Sequence, residues 1–385
     1  MAHIPTFLKL LIILIYTVFP ILNPVFTSIG SKEVTYEHLG IPLEGYYTQG
    51  IRARTAWDVE IYDGKLFVGG GDYDANSGPV PIYCYDLQTG GWIHSGTVAD
   101  EQADLFLILQ DTLMVPGCDP RQDWTYGNIY RYEDGTWNTY RNIPGGIHQF
   151  DIAEYDGMLF VGLGVANGQY PIAVSYDGGQ TFSQVTMYEN GLPLDTDSPT
   201  GTSLQIRVYD FFILNDQLYA IYFRNDGTER TFHIYQYQNG AFHYYSDMTQ
   251  SLTFRRTNYK LCTAKAELNG TMYLSTGNLY MTQDMINLTP ISFGDHAIVN
   301  DLRVIDNTLY VCVISQAEDG QYRTSIWRKS DSGNQFRELF YFTFAAPAQS
   351  FTYNDGVFYF GMGDGTLSEF NAANGSILKV TYSLQ

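Results

Sequence analysis

The chain has 385 residues, 45% of them hydrophobic and 16% charged, a composition that buries a large core and excludes a disordered polypeptide. Acidic residues outnumber basic ones 41 to 21, for a formal net charge of −20. That excess excludes binding of phosphate backbones through clustered Lys and Arg, and attachment to anionic lipid through basic patches.

In chain order, the first predicted element is the apolar stretch from Phe7 to Phe26, whose one charge is Lys9. It reads as an N-terminal hydrophobic helix within residues 1–30. Two fates fit: a secretory signal cut near Ser31, or a retained single-pass anchor interrupted by Pro20 and Pro24. Either places residues 31–385 outside the cytoplasm, secreted or held to the membrane by this segment alone. The remainder is expected to form a single domain.

From Asp58 onward a unit recurs about every fifty residues. It consists of an apolar strand, a turn pair and a second apolar strand. Asp58, Asp151, Asp210 and Asp301 open the clearest copies, and weaker ones start near Leu105, Ala266 and Ser350. Leu66, Leu113, Leu159, Leu218, Met272, Leu309 and Phe358 then occupy one equivalent position. The turn pairs Asp63-Gly64, Asp156-Gly157, Asn269-Gly270 and Asp355-Gly356 suit a two-residue hairpin that needs positive φ at both positions. A more polar hairpin ending in an aromatic follows most copies, at Trp92, Trp137, Phe182, Phe242 and Phe336. Buried inner strands and half-solvated outer strands predict an all-β, seven-bladed β-propeller of four-stranded antiparallel blades; six or eight blades also fit. The last unit reads as complete in itself. Closure of the ring then falls either to packing or to a strand from residues 34 to 50.

Ser175-Tyr176-Asp177-Gly178-Gly179-Gln180-Thr181-Phe182 resembles the Asp-box of sialidase-like propellers, and Lys329 to Phe336 is a degenerate copy. The outer hairpins ending in Trp92 and Trp137 are similar to kelch-type units. The resemblance implies that Asp177 bonds its own hairpin backbone while Phe182 packs into the blade. Sialidases also need an arginine cluster, a Tyr with a Glu and an acid/base carboxylate, and no motif here fixes those roles.

Propeller ligands sit at the channel mouth, where the loops entering each innermost strand converge. Asp58, Asp151, Asp210 and Asp301 stand there at one repeat position, and could either hold a polar ligand or bond neighbouring backbone. His148 and Arg207, three residues upstream of two of them, are candidates for proton transfer and carboxylate binding. Arg54 and Arg303, with Arg52, could join them, and Trp124 could grip a sugar. Asp72, Asp74 and Asn76 place oxygens at alternate positions as calcium loops do, although turn chemistry explains the same residues. No cofactor is expected beyond such a calcium ion. Cys84, Cys118, Cys262 and Cys312 lack metal-ligand spacing, and a Cys84–Cys118 disulfide stays open. Asn269, Asn287 and Asn374 fit the glycosylation pattern.

Catalytic signatures such as GxSxG, HExxH, GxGxxG and the P-loop do not occur in a fitting context. The leading expectation is a binding module for a glycan or protein ligand. A sialidase-like or other glycan-active enzyme and a structural scaffold are the alternatives. Convergence of Arg52, Arg54, Arg207 and Arg303 beside carboxylates at the mouth would favour the enzyme.

Overall fold

The computed structural model describes residues 26–27, 31–48, 50–165, 168–197, 204–249, 251, 264–330, 335–364 and 369–384. The expected N-terminal helix lies outside them but for a two-residue strand at Phe26–Thr27. Cys262 and part of the degenerate box, residues 331–334, also lie outside. Apart from one turn of 3-10 helix at Tyr73–Ala75, the described residues form strands and loops. Among them, no helix is long and apolar enough to cross a membrane.

Each hairpin copy forms the inner half of a four-stranded antiparallel meander. The first unit runs Val59–Tyr62, Lys65–Val68, Val80–Asp86 and Trp92–Val98, each strand paired to the next. The copies at 107–144, 146–184, 205–247, 264–291 and 298–344 repeat this order. All the inner hairpins use a two-residue turn with both positions at positive φ. This holds even for Gln110-Asp111, Asn215-Asp216 and Asp306-Asn307, which lack glycine. The reason is geometric: only turns of that hand match the right-handed twist of the strands.

The seventh unit is not complete in itself. It supplies Ala348–Asn354, Val357–Met362 and Ile377–Thr381, and its outer strand is Glu37–Gly40, paired antiparallel to Ile377–Thr381. The strand expected between residues 34 and 50 therefore closes the fold. Just upstream, Phe26–Thr27 and Lys32–Glu33 run parallel along the outer strand of the sixth unit. The insertion after the third unit does the same for the fourth, where Met187–Glu189 pairs parallel to Ala241–Asp247.

The strands hydrogen-bond into six sheets rather than a separate sheet per unit. The cause is extra pairing at one end of the units. There Gly164 pairs with Arg207 and Val165 with Ile206, fusing the third and fourth units. Asp100–Gln102 and Cys118–Pro120 join the same sheet at His148.

Interfaces between units repeat one contact. Gly162 faces the Val208 carbonyl of the next unit, and Gly361 of the last unit faces the Ala56 carbonyl of the first. A Cβ added there would come within 2.6 and 2.8 Å of those oxygens. Gly69 meets Ala103 in the same way, and Ser275, at the equivalent position, donates its hydroxyl to the Val299 carbonyl at 2.6 Å. Small residues are required because two backbones meet there. Between these contacts lie apolar layers shared by neighbouring units, such as Phe160, Phe211 and Phe242. The chain is a β-propeller of four-stranded antiparallel blades.

Candidate binding face at the channel mouth

The repeated aspartates line one axial cavity. Asp58, Asp151, Asp210 and Asp301 surround it together with Lys265, Arg303 and the rings of Trp57, Phe106 and Phe150. Three of these four aspartates follow a register shift, at Gln149/Asp151, Val208/Asp210 and Val299/Asp301. A bulge there re-aims the carboxylate.

The aspartates are engaged by the protein itself. Asp58 accepts the Val59 N–H at 2.9 Å and the Phe106 N–H of the next unit at 2.8 Å. Asp301 accepts Leu302 and Phe351 in the same pattern, both at 2.8 Å. Asp151 accepts Phe211 N–H at 2.8 Å. Two cations complete the ring. Lys265 bridges Asp151 to Asp210, 3.6 Å away. Arg303 contacts Glu60, Asp58 at 3.3 Å and Asp301 at 3.7 Å. Burial pushes the Asp301 carboxyl up to about 6, with Arg303 and the two N–H donors opposing it. The three surrounding carboxylates raise the Arg303 guanidinium further above its ordinary value, against the cost of burial. Lys265 and Glu60 were not among the candidates read from the sequence. Lys265 follows the equivalent position in the fifth unit, where Ala264 replaces Asp, so its charge was legible by alignment.

This cavity has a volume of about 180 Å³, below the roughly 300–1,000 Å³ of ordinary small-molecule pockets. Its charged groups pair with one another between neighbouring units.

The remaining candidates separate. Arg54 is buried and donates to the Asn371 and Ala372 carbonyls at 3.0 and 3.3 Å, with Phe370 stacked over it. Arg207 lies over Phe150 and donates to the Tyr209 hydroxyl at 3.2 Å. Arg52 faces Asp74 at 3.8 Å. The four arginines thus occupy four settings. His148 stands beside Asp119, Nδ1 to Oδ1 3.1 Å, and Cys118, 3.9 Å, with Phe150 stacked on its ring. Trp124 projects from the neighbouring loop and is 61% exposed.

Asp72, Asp74 and Asn76 build a turn. The Asp72 carbonyl accepts Ala75 and Ser77 N–H, and Asn76 takes the left-handed position after the 3-10 helix. Among the described residues, the group whose His, Cys and carboxylate donors lie within 4.8 Å of one another is instead Cys118, Asp119 and His148. Cys84, Cys118 and Cys312 are free thiols, so the open Cys84–Cys118 disulfide is not formed. Asn374 is fully buried and donates to the Ile51 carbonyl at 3.1 Å, which leaves it inaccessible to a glycan.

In the outer hairpin at Ser175, Asp177 accepts the Gln180 and Thr181 N–H groups and the Thr181 hydroxyl at 2.6–3.0 Å. Those bonds, the Thr181 hydroxyl first, hold its carboxyl well below the usual range. A second hairpin, unnoticed in the sequence, uses the same device: Asp284 accepts Ile286 and Asn287 N–H at 2.9 and 2.8 Å. Its Thr282, Ile286 and Leu288 depart from the S-x-D-x-G-x-T pattern, which hid it.

No family model matches the chain, and no curated protein does. Solved structures do. That of U3-55K covers 91% of this chain and 100% of its own, with a TM-score of 0.52 at 10% identity. The WD40 repeats of RRP9 cover 94% and 100%, with a TM-score of 0.51 at 11% identity. The likeness is to the fold: the chain is a β-propeller whose structural neighbours include WD40 propellers.

Proposed function

We propose that the chain is an exported, seven-bladed propeller that acts as a non-catalytic binding module, taking a protein segment on the mouth-side loops of its seventh, first and second units. Seven copies of one turn pair and the repeated small-residue contact from unit to unit support the blade number. The apolar leader supports export.

One observation carries the binding reading. Phe370, Tyr46, Ile51, Trp124 and Tyr126 are exposed apolar side chains, and all lie in the mouth-side loops of those three consecutive units or, for Tyr126, at the start of the strand that follows one. Local contacts tie these loops together. Phe370 stacks on Arg54, the Tyr46 hydroxyl donates to the Pro79 carbonyl at 3.0 Å, and Arg121 donates to the Gly78 carbonyl. Exposed aromatics on a rigid support are the usual anchors of an interface. The enzyme reading loses its main support, since the arginines do not converge and the axial carboxylates are engaged by Lys265, Arg303 and backbone N–H groups.

The test compares the full-length chain with its Trp124→Ala and Phe370→Ala variants, by cross-linking mass spectrometry in the producing cell and on a glycan array. Cross-links to one protein at residues 46–51, 121–126 and 369–371 that both variants lose would bear the proposal out. Array binding lost in Trp124→Ala would assign the face to a glycan instead. Ligand contact confined to the opposite face, indifferent to both variants, would refute it.

A further inference from the structure

We infer that Cys118, Asp119 and His148 form a site for one borderline-soft divalent cation of the zinc class, with a fourth coordination position open to the channel mouth. Cys118 and Asp119 are neighbours in the strand Cys118–Pro120, and neighbours in a strand ordinarily point to opposite faces. Asp119 breaks that alternation by taking φ of 56°, a left-handed conformation uncommon outside glycine, asparagine and aspartate. Unlike the other aspartates of this kind at hairpin tips, it sits inside a paired strand. The result is that thiol and carboxylate both face His148, which pairs with Cys118 across the strands.

The distances fit a tetrahedral ion. Bonds of about 2.0–2.1 Å to nitrogen and oxygen and about 2.3 Å to sulfur place N and O ligands roughly 3.3 Å apart, and N and S ligands roughly 3.6 Å apart. The observed separations are 3.1 Å for His148 Nδ1 to Asp119 Oδ1 and 3.9 Å for Nδ1 to Cys118 Sγ.

The same geometry disfavours a nucleophilic triad. In a triad the acid holds one ring nitrogen and the nucleophile meets the other. Here both Asp119 and Cys118 approach Nδ1, as ligands sharing one centre do. The thiolate, rather than the thiol, is the ligand form of Cys118, and a bound cation would supply the charge that releases its proton. Three protein ligands leave one position for water or a ligand group, the arrangement of open zinc sites.

The experiment titrates reduced, chelator-stripped full-length protein with Co²⁺ alone, then displaces it with Zn²⁺. We expect one equivalent bound, with tetrahedral d–d bands and a thiolate-to-cobalt charge-transfer band. Cys118→Ser should abolish the charge-transfer band. His148→Gln and Asp119→Asn should each weaken binding at least ~10-fold. Absence of a thiolate band at one equivalent, its survival in Cys118→Ser, or unchanged affinity in His148→Gln would each overturn the site. Should a variant fail to fold, X-ray absorption of the zinc-loaded wild-type chain decides: one sulfur with nitrogen and oxygen ligands supports it, and a sulfur-free shell overturns it.

Discussion

Asp301 shows at one residue how a repeated carboxylate can be structural. It accepts two buried N–H groups, one from the neighbouring unit, and faces Arg303. Replacing it by alanine orphans both donors and removes one of the anions around Arg303. We expect Asp301→Ala to cost about 2–4 kcal/mol, measured by chemical denaturation, and Asp301→Asn to cost less because an acceptor remains. The same burial predicts an inverted pH dependence. Asp301 and Asp100 are both raised to about 6, chiefly by burial, above the 3.8 of a free carboxyl. Between those values the folded chain binds more protons than the unfolded one, so their contribution is present below about pH 4 and is lost as pH rises through about 6. Thermal melts across that window should show a declining contribution that Asp100→Asn, which keeps the Tyr130 and Asn128 partners, flattens. Asp177 acts with the opposite sign, since its stabilisation fades as the medium acidifies through its lowered value.

At the scale of the element, the inner hairpin was the most legible feature. Turn pairs, apolar runs and the equivalent leucines all report local geometry, which a sequence states directly. Gln110 shows where that language fails. It fills a left-handed turn position, φ 49°, that propensity would assign to Asn or Gly, and only alignment to its sister units revealed the turn. Gln110→Gly should therefore stabilise the chain by about 0.5–1 kcal/mol, read as a shift in denaturant midpoint without a change in slope. The interface glycines carry the converse prediction. Gly162 has ordinary φ yet no room, and Gly162→Ala should cost about 1–3 kcal/mol by prising the third and fourth units apart. The candidate site was legible in part. Repetition brought the four aspartates to one axis, but not the pairing of Lys265 with Asp151 and Asp210 or of Glu60 with Arg303, because side-chain partners across a ring have no fixed sequence separation. Cys118 and His148 were invisible as a pair for the same reason: their contact depends on pairing between units and on the left-handed Asp119.

For the whole molecule, closure is the property on which the rest depends. The chain begins its propeller with the strand that finishes it. Glu37–Gly40 pairs with Ile377–Thr381, Lys379 donates to Glu37 at 2.9 Å, and the Trp92 indole of the first unit donates to the Leu39 carbonyl at 2.7 Å. One short strand thus links the last unit to the first, joining residues that folding must gather from opposite ends of the sequence. Removing residues 31–41 would uncover the N–H and C=O groups of Ile377–Thr381, leaving an unpaired edge in a buried apolar setting. The truncated chain should unfold at lower denaturant and form concentration-dependent oligomers through that edge, whereas the intact chain at the same concentration should not. Adding a peptide spanning residues 31–41 should restore both properties, because the missing strand is needed for its hydrogen bonds rather than for its covalent connection. Rescue with reversal of self-association is the expected result in light scattering and melting. A truncated chain as stable and as monodisperse as the full one would mean that packing between the first and seventh units, through Ala56 and Gly361, closes the ring unaided.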